Sequence, residues 1–192
     1  MLVKAFETYA VRLLERHGTP GAAVAASRNG AVVYARGFGS ADVEQRVPAD
    51  PGTVFGIASV TKSFTAAAIM RLADTGQLSV DDPVLEYLPE FRMPRGDAAA
   101  ARIHHLLTHT PGFPPLPSRW YAFGPSARDD PDGETPPVSV DARAPIETPE
   151  DLMAYLAGGD WTPLGPPGAQ FSYCNEGCAL LGAIVARTNP RD

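Results

Sequence analysis

The stretch Phe55-Gly56-Ile57-Ala58-Ser59-Val60-Thr61-Lys62-Ser63-Phe64-Thr65 decides how this chain is read. Phe55 to Ser59 leads into a helix expected near Val60 to Asp74, with Phe64, Ala67, Ala68, Met70 and Leu72 as apolar positions and Thr75-Gly76-Gln77 as the stop. At a helix start, residues i and i+3 share one face, so Lys62 can reach the hydroxyl of Ser59. A serine hydroxyl is a weak nucleophile until a base takes its proton. A lysine can be that base where burial or nearby positive charge favours the neutral amine. The N-terminal end of a helix also offers free N–H groups and a positive dipole end, which would stabilise an oxygen turning negative on an attacked carbonyl.

Composition sharpens the point. The 16 basic residues comprise fourteen arginines and two lysines, Lys4 and Lys62. Arginine cannot act as a base near neutral pH, whereas a buried lysine can. With nine serines and two lysines in 192 residues, a Ser followed three positions later by Lys is expected about 0.09 times by chance. The purely structural alternative is a serine N-cap beside an exposed lysine.

A second pattern is Tyr173-Cys174-Asn175. In an extended or turning segment, residues i and i+2 point to one side. A phenol can relay a proton between nucleophile and leaving group, and an amide can hold a substrate carbonyl or N–H. A half-buried tyrosine and a helix-capping asparagine would explain the same residues without chemistry.

Together, in this order and about 110 residues apart, the two patterns resemble the serine β-lactamase-like superfamily: class C β-lactamases, D-Ala-D-Ala carboxypeptidases and related esterases. Phe55 to Thr65 is similar to that family's nucleophile segment, and Gly76-Gln77-Leu78-Ser79-Val80-Asp81-Asp82-Pro83 to the stretch after it. Ile103-His104-His105-Leu106-Leu107-Thr108-His109-Thr110-Pro111-Gly112 resembles its LLTHTSG turn, with Pro111 in place of the usual Ser. Pro167-Gly168 to Gly182 resembles its Tyr-x-Asn segment. The resemblance implies an α/β, β-lactamase/transpeptidase-like fold. It also implies Ser59 as the acyl-accepting nucleophile, Lys62 as its base and Tyr173 as general acid/base. Asn175 would contact substrate and help orient Lys62, and the Ser59 N–H would form half of an oxyanion hole. The expected reaction is hydrolysis of an amide, lactam or ester through an acyl-serine, on a small-molecule or peptide acyl substrate, with no cofactor and no metal.

The family's third motif, Lys-Thr-Gly or His-x-Gly on an inner strand, has no counterpart here, and the chain stops 19 residues after Tyr173. That strand also supplies the second oxyanion N–H; losing one such donor costs roughly 2.7–4 kcal/mol. The expectation is therefore an N-terminal portion, 1–192, of a β-lactamase-like domain. Residues 1–50 would hold the opening helix and hairpin, and 51–192 the nucleophile helix and helical lobe. The sheet would be incomplete, its closing strands missing. Alone the chain is expected to be weak or inactive, with the missing C-terminal half as a partner. A non-catalytic acyl-accepting, penicillin-binding or sensor module, or a truncated relic, is the competing reading.

Other features bound the answer. A net charge of −6 without a basic stripe argues against nucleic acid. No apolar run approaches the ~20 residues of a membrane span, and no leader is visible at Met1 to Gly21, so localisation is unassigned and cytoplasmic as the chain stands. Val3, Phe6, Ala10, Leu13 and Leu14 predict a helix over Leu2 to Arg16. Ala22 to Ser27, Asn29-Gly30 and Ala31 to Arg36 predict a hairpin on a type I′ turn. Gly37-Phe38-Gly39 lacks the third glycine and helix start of a phosphate loop.

Further helices are expected around Val84 to Tyr87, over Ala98 to Thr108, from Glu147-Thr148-Pro149-Glu150 to about Leu156, and over Asn175 to Arg187. Residues 113–147 hold most of ten prolines found between Pro111 and Pro149 and are expected to be irregular, mobile around Ser126 to Pro137. Trp120, Tyr121 and Phe123 there either line an acyl pocket or cover the helical lobe. His105 and His109 share an i, i+4 spacing, but no Glu follows His105 directly and no third ligand is apparent, so metal is not expected. Cys174 and Cys178 do not form a redox Cys-x-x-Cys and read as small packing residues, although Cys174 lies inside the candidate site, within reach of thiol reagents.

Overall fold

The computed structural model describes residues 2–116, 118 and 145–188. The stretch expected to be mobile, the aromatic trio Trp120, Tyr121 and Phe123, and most of 113–147 lie outside the described residues. The chain divides into two compact units, Met1–Ile57 and Ala58–Asp192.

In the first unit, helix α1 (Leu2–His17) precedes strands β1 (Gly21–Arg28), β2 (Ala31–Asp42) and β3 (Val47–Pro48), which form an antiparallel sheet in the order β1-β2-β3. Asn29 (φ 51°) and Gly30 (φ 78°) both take left-handed backbone, as a type I′ turn requires. β2 runs six residues past the expected Arg36, and the added length pairs with β3. Gly37 and Gly39 belong to this strand. A Cβ on Gly37 would stand 2.0 Å from the carbonyl oxygen of Ala49, so close backbone approach explains that glycine. Phe6 meets Tyr34 and Phe38 edge-on at 5.8 and 6.3 Å, and Glu7 pairs with Arg36 at 2.6 Å; these contacts hold α1 to β2. No residue of α1 is buried, and Leu13, expected on its inner face, is 40% exposed.

The second unit opens with a 3-10 turn (Ala58–Val60) that runs into α2 (Thr61–Asp74). It continues through α3 (Val84–Tyr87), a 3-10 turn (Ala98–Ala100), α4 (Ile103–Leu107), α5 (Pro149–Gly158) and α6 (Asn175–Thr188). Ile69, Val84, Leu88, Phe91, Ile103, Leu106, Phe113, Leu156, Leu180 and Ile184 are fully buried in one core. α2, α4 and α5 all pack on α6. Phe113 bridges Phe91 and Trp161 through edge contacts at 6.2 and 5.6 Å, and the Trp161 indole donates to the Leu156 carbonyl at 3.0 Å. Among the described residues no helix is long and apolar enough to cross a membrane.

Two expectations need correction, and a third gains its cause. Phe64 and Met70 on α2 are exposed; Ile69 and Leu72 supply its buried contacts, because the face that matters is set by α6. The helix expected over Ala98 to Thr108 is broken. Val84 N–H donates to the Ala101 carbonyl at 2.9 Å and Ile103 N–H to the Asp82 carbonyl at 3.1 Å, so residues 101 and 102 are extended and bridge the 82–84 segment. α5 begins at Pro149 because Thr148 caps it: Thr148 Oγ1 accepts from Asp151 N–H, and Asp151 accepts from Thr148 N–H.

Candidate active site

Ser59 does not cap α2. Val60 occupies the N-cap position without a side-chain hydrogen bond, and Ser59 sits in the 3-10 turn just before it. Ala58 holds φ at 43°, a left-handed conformation unusual for a residue with a Cβ. That turn brings the Ser59 hydroxyl over the first turn of α2, where Lys62 Nζ donates to Ser59 Oγ at 3.1 Å. The i, i+3 relation supplied the proximity, and the turn before the helix supplied the aim.

The second pattern arrives from the far end of the chain. The Tyr173 hydroxyl donates to Ser59 Oγ at 2.7 Å, and Lys62 Nζ donates to Asn175 Oδ1 at 2.7 Å. The four sequence-predicted residues, Ser59, Lys62, Tyr173 and Asn175, therefore meet across 113 and 114 positions of sequence. Lys62 Nζ also lies 5.0 Å from the centre of the Tyr173 ring, within cation–π range. Hydrogen bonding with Lys62 first, and with Ser59 second, lowers the Tyr173 phenol pKa below its ordinary value. Two donors converge on one serine oxygen. When either loses its proton it becomes the acceptor for the serine hydrogen, which is the reversal that general-base activation needs.

The LLTHTPG turn holds the segment bearing Tyr173. Gly168 N–H donates to the Thr110 carbonyl, Leu164 N–H to the Gly112 carbonyl and Ser172 N–H to the His109 carbonyl, at 2.8, 2.9 and 2.8 Å. Gly112 takes φ 90°, and a Cβ there would stand 2.6 Å from the Gly165 carbonyl oxygen, so the turn needs glycine on two counts. His109 is partly buried. Its Nδ1 accepts from Cys174 N–H at 3.3 Å, and its ring lies 4.6 Å from that of Tyr173, inclined by 36°. Sequence reading placed His109 in the LLTHTPG turn and beside His105 at i, i+4 spacing, without a role in the site.

A cleft of about 640 Å³ opens beside Ser59 and Lys62. Ile146, Pro149, Leu152 and Ala179 give it apolar walls, and Ser118, Glu147 and Glu176 bring polar groups. Glu176 is 3% exposed and accepts a short hydrogen bond from Ser118 Oγ. A buried carboxylate on the first turn of α6 was not legible, because its partner lies 58 residues away.

The remaining polar residues have other employment. His105 Nδ1 accepts from Arg102 N–H at 3.1 Å, and among the described residues no three His, Cys, Asp or Glu side chains are placed to share a metal ion. Both cysteines are free. Burial pushes the Cys174 thiol up to about 11, which makes it a poor nucleophile at neutral pH.

Comparison with known proteins finds relatives along most of the chain. Residues 6–191 match the family profile described as Beta-lactamase. Protein flp of Staphylococcus aureus (strain COL) is 32% identical over 173 residues, 90% of this chain and 30% of that protein. Esterase EstB of Burkholderia gladioli is 46% identical over 96 residues, 48% of this chain and 24% of EstB. The structure of the octameric penicillin-binding protein homologue from Pyrococcus abyssi superimposes with a TM-score of 0.78 at 36% identity, covering 98% of this chain and 39% of that one. A class C β-lactamase in complex with cefoxitin gives 0.67 at 27% identity, over 92% of this chain and 42% of that one. The chain thus spans about a quarter to two fifths of the length of these relatives.

Proposed function

The chain belongs to the Beta-lactamase family, and from that premise we propose that it opens amide, lactam or ester bonds by passing an acyl group through Ser59. Coarsely it is a member of the serine hydrolase superfamily that its esterase and β-lactamase relatives represent. One observation carries the finer reading: Lys62 and Tyr173 both reach a single serine oxygen, at 3.1 and 2.7 Å.

In this reading Lys62 or Tyr173, once deprotonated, takes the hydrogen of Ser59. The Oγ attacks the substrate carbonyl carbon, and the oxygen that turns negative is met by the Ser59 N–H in the 3-10 turn that leads into α2. Tyr173 passes the proton to the leaving group, which departs as the carbonyl re-forms on an acyl-serine. Water then attacks that ester, and the same groups return the proton to Ser59. Asn175 fixes the Lys62 side chain by accepting from its Nζ and presents its amide to the substrate. The apolar walls beside Ser59 suit an acyl group of modest size. The lowered phenol pKa gives a direction: acylation rises with pH through a midpoint below that of an ordinary tyrosine.

The Ser59 N–H is the oxyanion donor this reading names, and slow turnover is the expectation where it acts without a second. Since it spans only part of its relatives, the second reading is a module that accepts an acyl group and holds it. Intact-protein mass spectrometry after exposure to a penicillin or an activated ester separates the two. An adduct that forms, disappears and leaves free product supports hydrolysis. An adduct that persists supports the acyl-accepting module. In both cases Ser59→Ala must show none. Absence of any adduct on the unsubstituted chain, also when the rest of the family domain is supplied in trans, removes both readings.

A further inference from the structure

His109 touches four successive residues of the segment that carries Tyr173. Its ring meets Phe171 edge-on at 5.9 Å, its carbonyl accepts from Ser172 N–H at 2.8 Å, its ring lies 4.6 Å from Tyr173, and its Nδ1 accepts from Cys174 N–H at 3.3 Å. His109 reaches all four from a backbone at φ 57°, a conformation a β-carbon disfavours.

We propose that His109 is a positioning residue: its neutral ring, with Nδ1 bare and the proton on Nε2, holds the Tyr173 hydroxyl against Ser59, and protonating it releases that grip. The proposal rests on the reading of Tyr173 as the proton relay. Its logic is that of a tautomer fixed by a hydrogen bond. An N–H pointing at Nδ1 requires a lone pair there, so the proton of the neutral ring belongs on Nε2. A second proton must go to Nδ1, where it meets the Cys174 N–H head-on and leaves that amide without its acceptor.

Of the charged and titratable groups around the ring, Lys62 opposes the same proton. Lys62 comes from α2, and the Tyr173 phenol and Cys174 thiol come from the segment before α6, with Cys174 Sγ 3.7 Å from Nδ1. Cys178, one turn into α6, faces Tyr173, and the carbonyl of His105 on α4 anchors the turn by accepting from Thr110 N–H. Burial first, and the Lys62 charge second, hold the imidazole below the ordinary histidine range. The gripping form therefore persists into mildly acidic solution, and acylation should fall only below that.

The test is a pH titration of the full chain carrying 13Cζ-tyrosine and 15N-histidine, followed by NMR, with Tyr173→Phe and His109→Asn identifying the two signals. The expected result is a neutral His109 protonated on Nε2 and a Tyr173 resonance that shifts through the His109 midpoint. His109→Phe keeps a ring and loses the acceptor; its Tyr173 titration should move up toward ordinary tyrosine, and acylation by p-nitrophenyl acetate should slow about tenfold. His109→Asn offers an acceptor and tolerates positive φ, so it should recover part of both. A proton on Nδ1 of the neutral ring, a Tyr173 resonance silent through the His109 midpoint, or an unshifted phenol titration in folded His109→Phe overturns the proposal. The titration is made on the unsubstituted chain, so a variant that fails to fold leaves the decision intact. A chain that never acylates counts against the hydrolase reading, while the coupling of the two resonances still decides this one.

Discussion

From Ala58 onward, α2, α4 and α5 surround α6 and bury Ile69, Leu106, Leu156 and Ile184 completely. In the unit Met1–Ile57 the buried apolar residues among those described are Phe38 and Ala49, while Leu2, Tyr9, Val32 and Val33 are more than half exposed. Both units carry strong local signals, an Asn-Gly turn in one and capped or proline-started helices in the other. Local signals select a conformation, but burial stabilises it. A fully buried aliphatic side chain contributes about 1.5–3 kcal/mol, and an exposed one contributes little. A hairpin with few partners is marginal by itself. The site, with all four of its residues in the second unit, stands on the better-packed framework.

Four experiments press on this contrast. Lys62→Ala should slow acylation about 10²–10⁴-fold, the usual span for a lost general base, while leaving the guanidinium unfolding midpoint near its original value, since Lys62 is outside the core. An equal loss of both would mean that Lys62 supports the fold instead. Ile184→Ala, at a fully buried position, should destabilise the second unit by about 2–5 kcal/mol. The matching truncation Val33→Ala, at a side chain 63% exposed, should stay within about 0.5 kcal/mol. Comparable losses for the two would erase the contrast.

Hydrogen exchange should show amides of β1, an edge strand, exchanging at least about tenfold faster than those in the middle of α6; equal protection would mean the units open together. The smallest effect belongs to Arg187, which pairs with Glu90 and Glu150 near the end of α6. The guanidinium holds the Glu90 carboxyl down at about 2. A depressed folded-state pKa gives stability that is present above the ordinary carboxylate range and is lost as pH falls toward 2. Arg187→Ala should therefore cost under about 1 kcal/mol at neutral pH, since the pair is partly exposed, and nothing measurable near pH 2. A cost independent of pH would assign Arg187 a packing role.

Much of the site was legible because its halves are local. Ser59 and Lys62 are three residues apart and Tyr173 and Asn175 two apart, so geometry within each half follows from backbone periodicity. The meeting of the halves was implied only by the family resemblance. His109 was the larger omission. A histidine in the LLTHTPG stretch gives no sign by itself that it will grip residues 171–174, because that contact depends on the turn from Thr110 to Gly112 pairing with residues 164–168. The break at Ala101 and Arg102 was missed for a related reason: the four alanines Ala98 to Ala101 favour helix by propensity, and pairing with residues 82–84 overrode it. The β2–β3 pairing was missed because a two-residue strand carries no period to read.

By itself, the sequence determined what neighbouring residues decide: the approximate extents of α1, α5 and α6, the Asn-Gly turn, the Ser59–Lys62 spacing and the scarcity of lysine that drew attention to it. Only the tertiary structure decided that the Tyr173 hydroxyl reaches Ser59, that Asn175 accepts from Lys62, that Ser118 meets Glu176 in the core and that one face of α2 rather than another is buried. The division follows from range. Backbone sterics and hydrogen-bond periodicity act over a few residues and are written in the order of the letters, whereas contacts across a hundred positions depend on how the helices pack around α6.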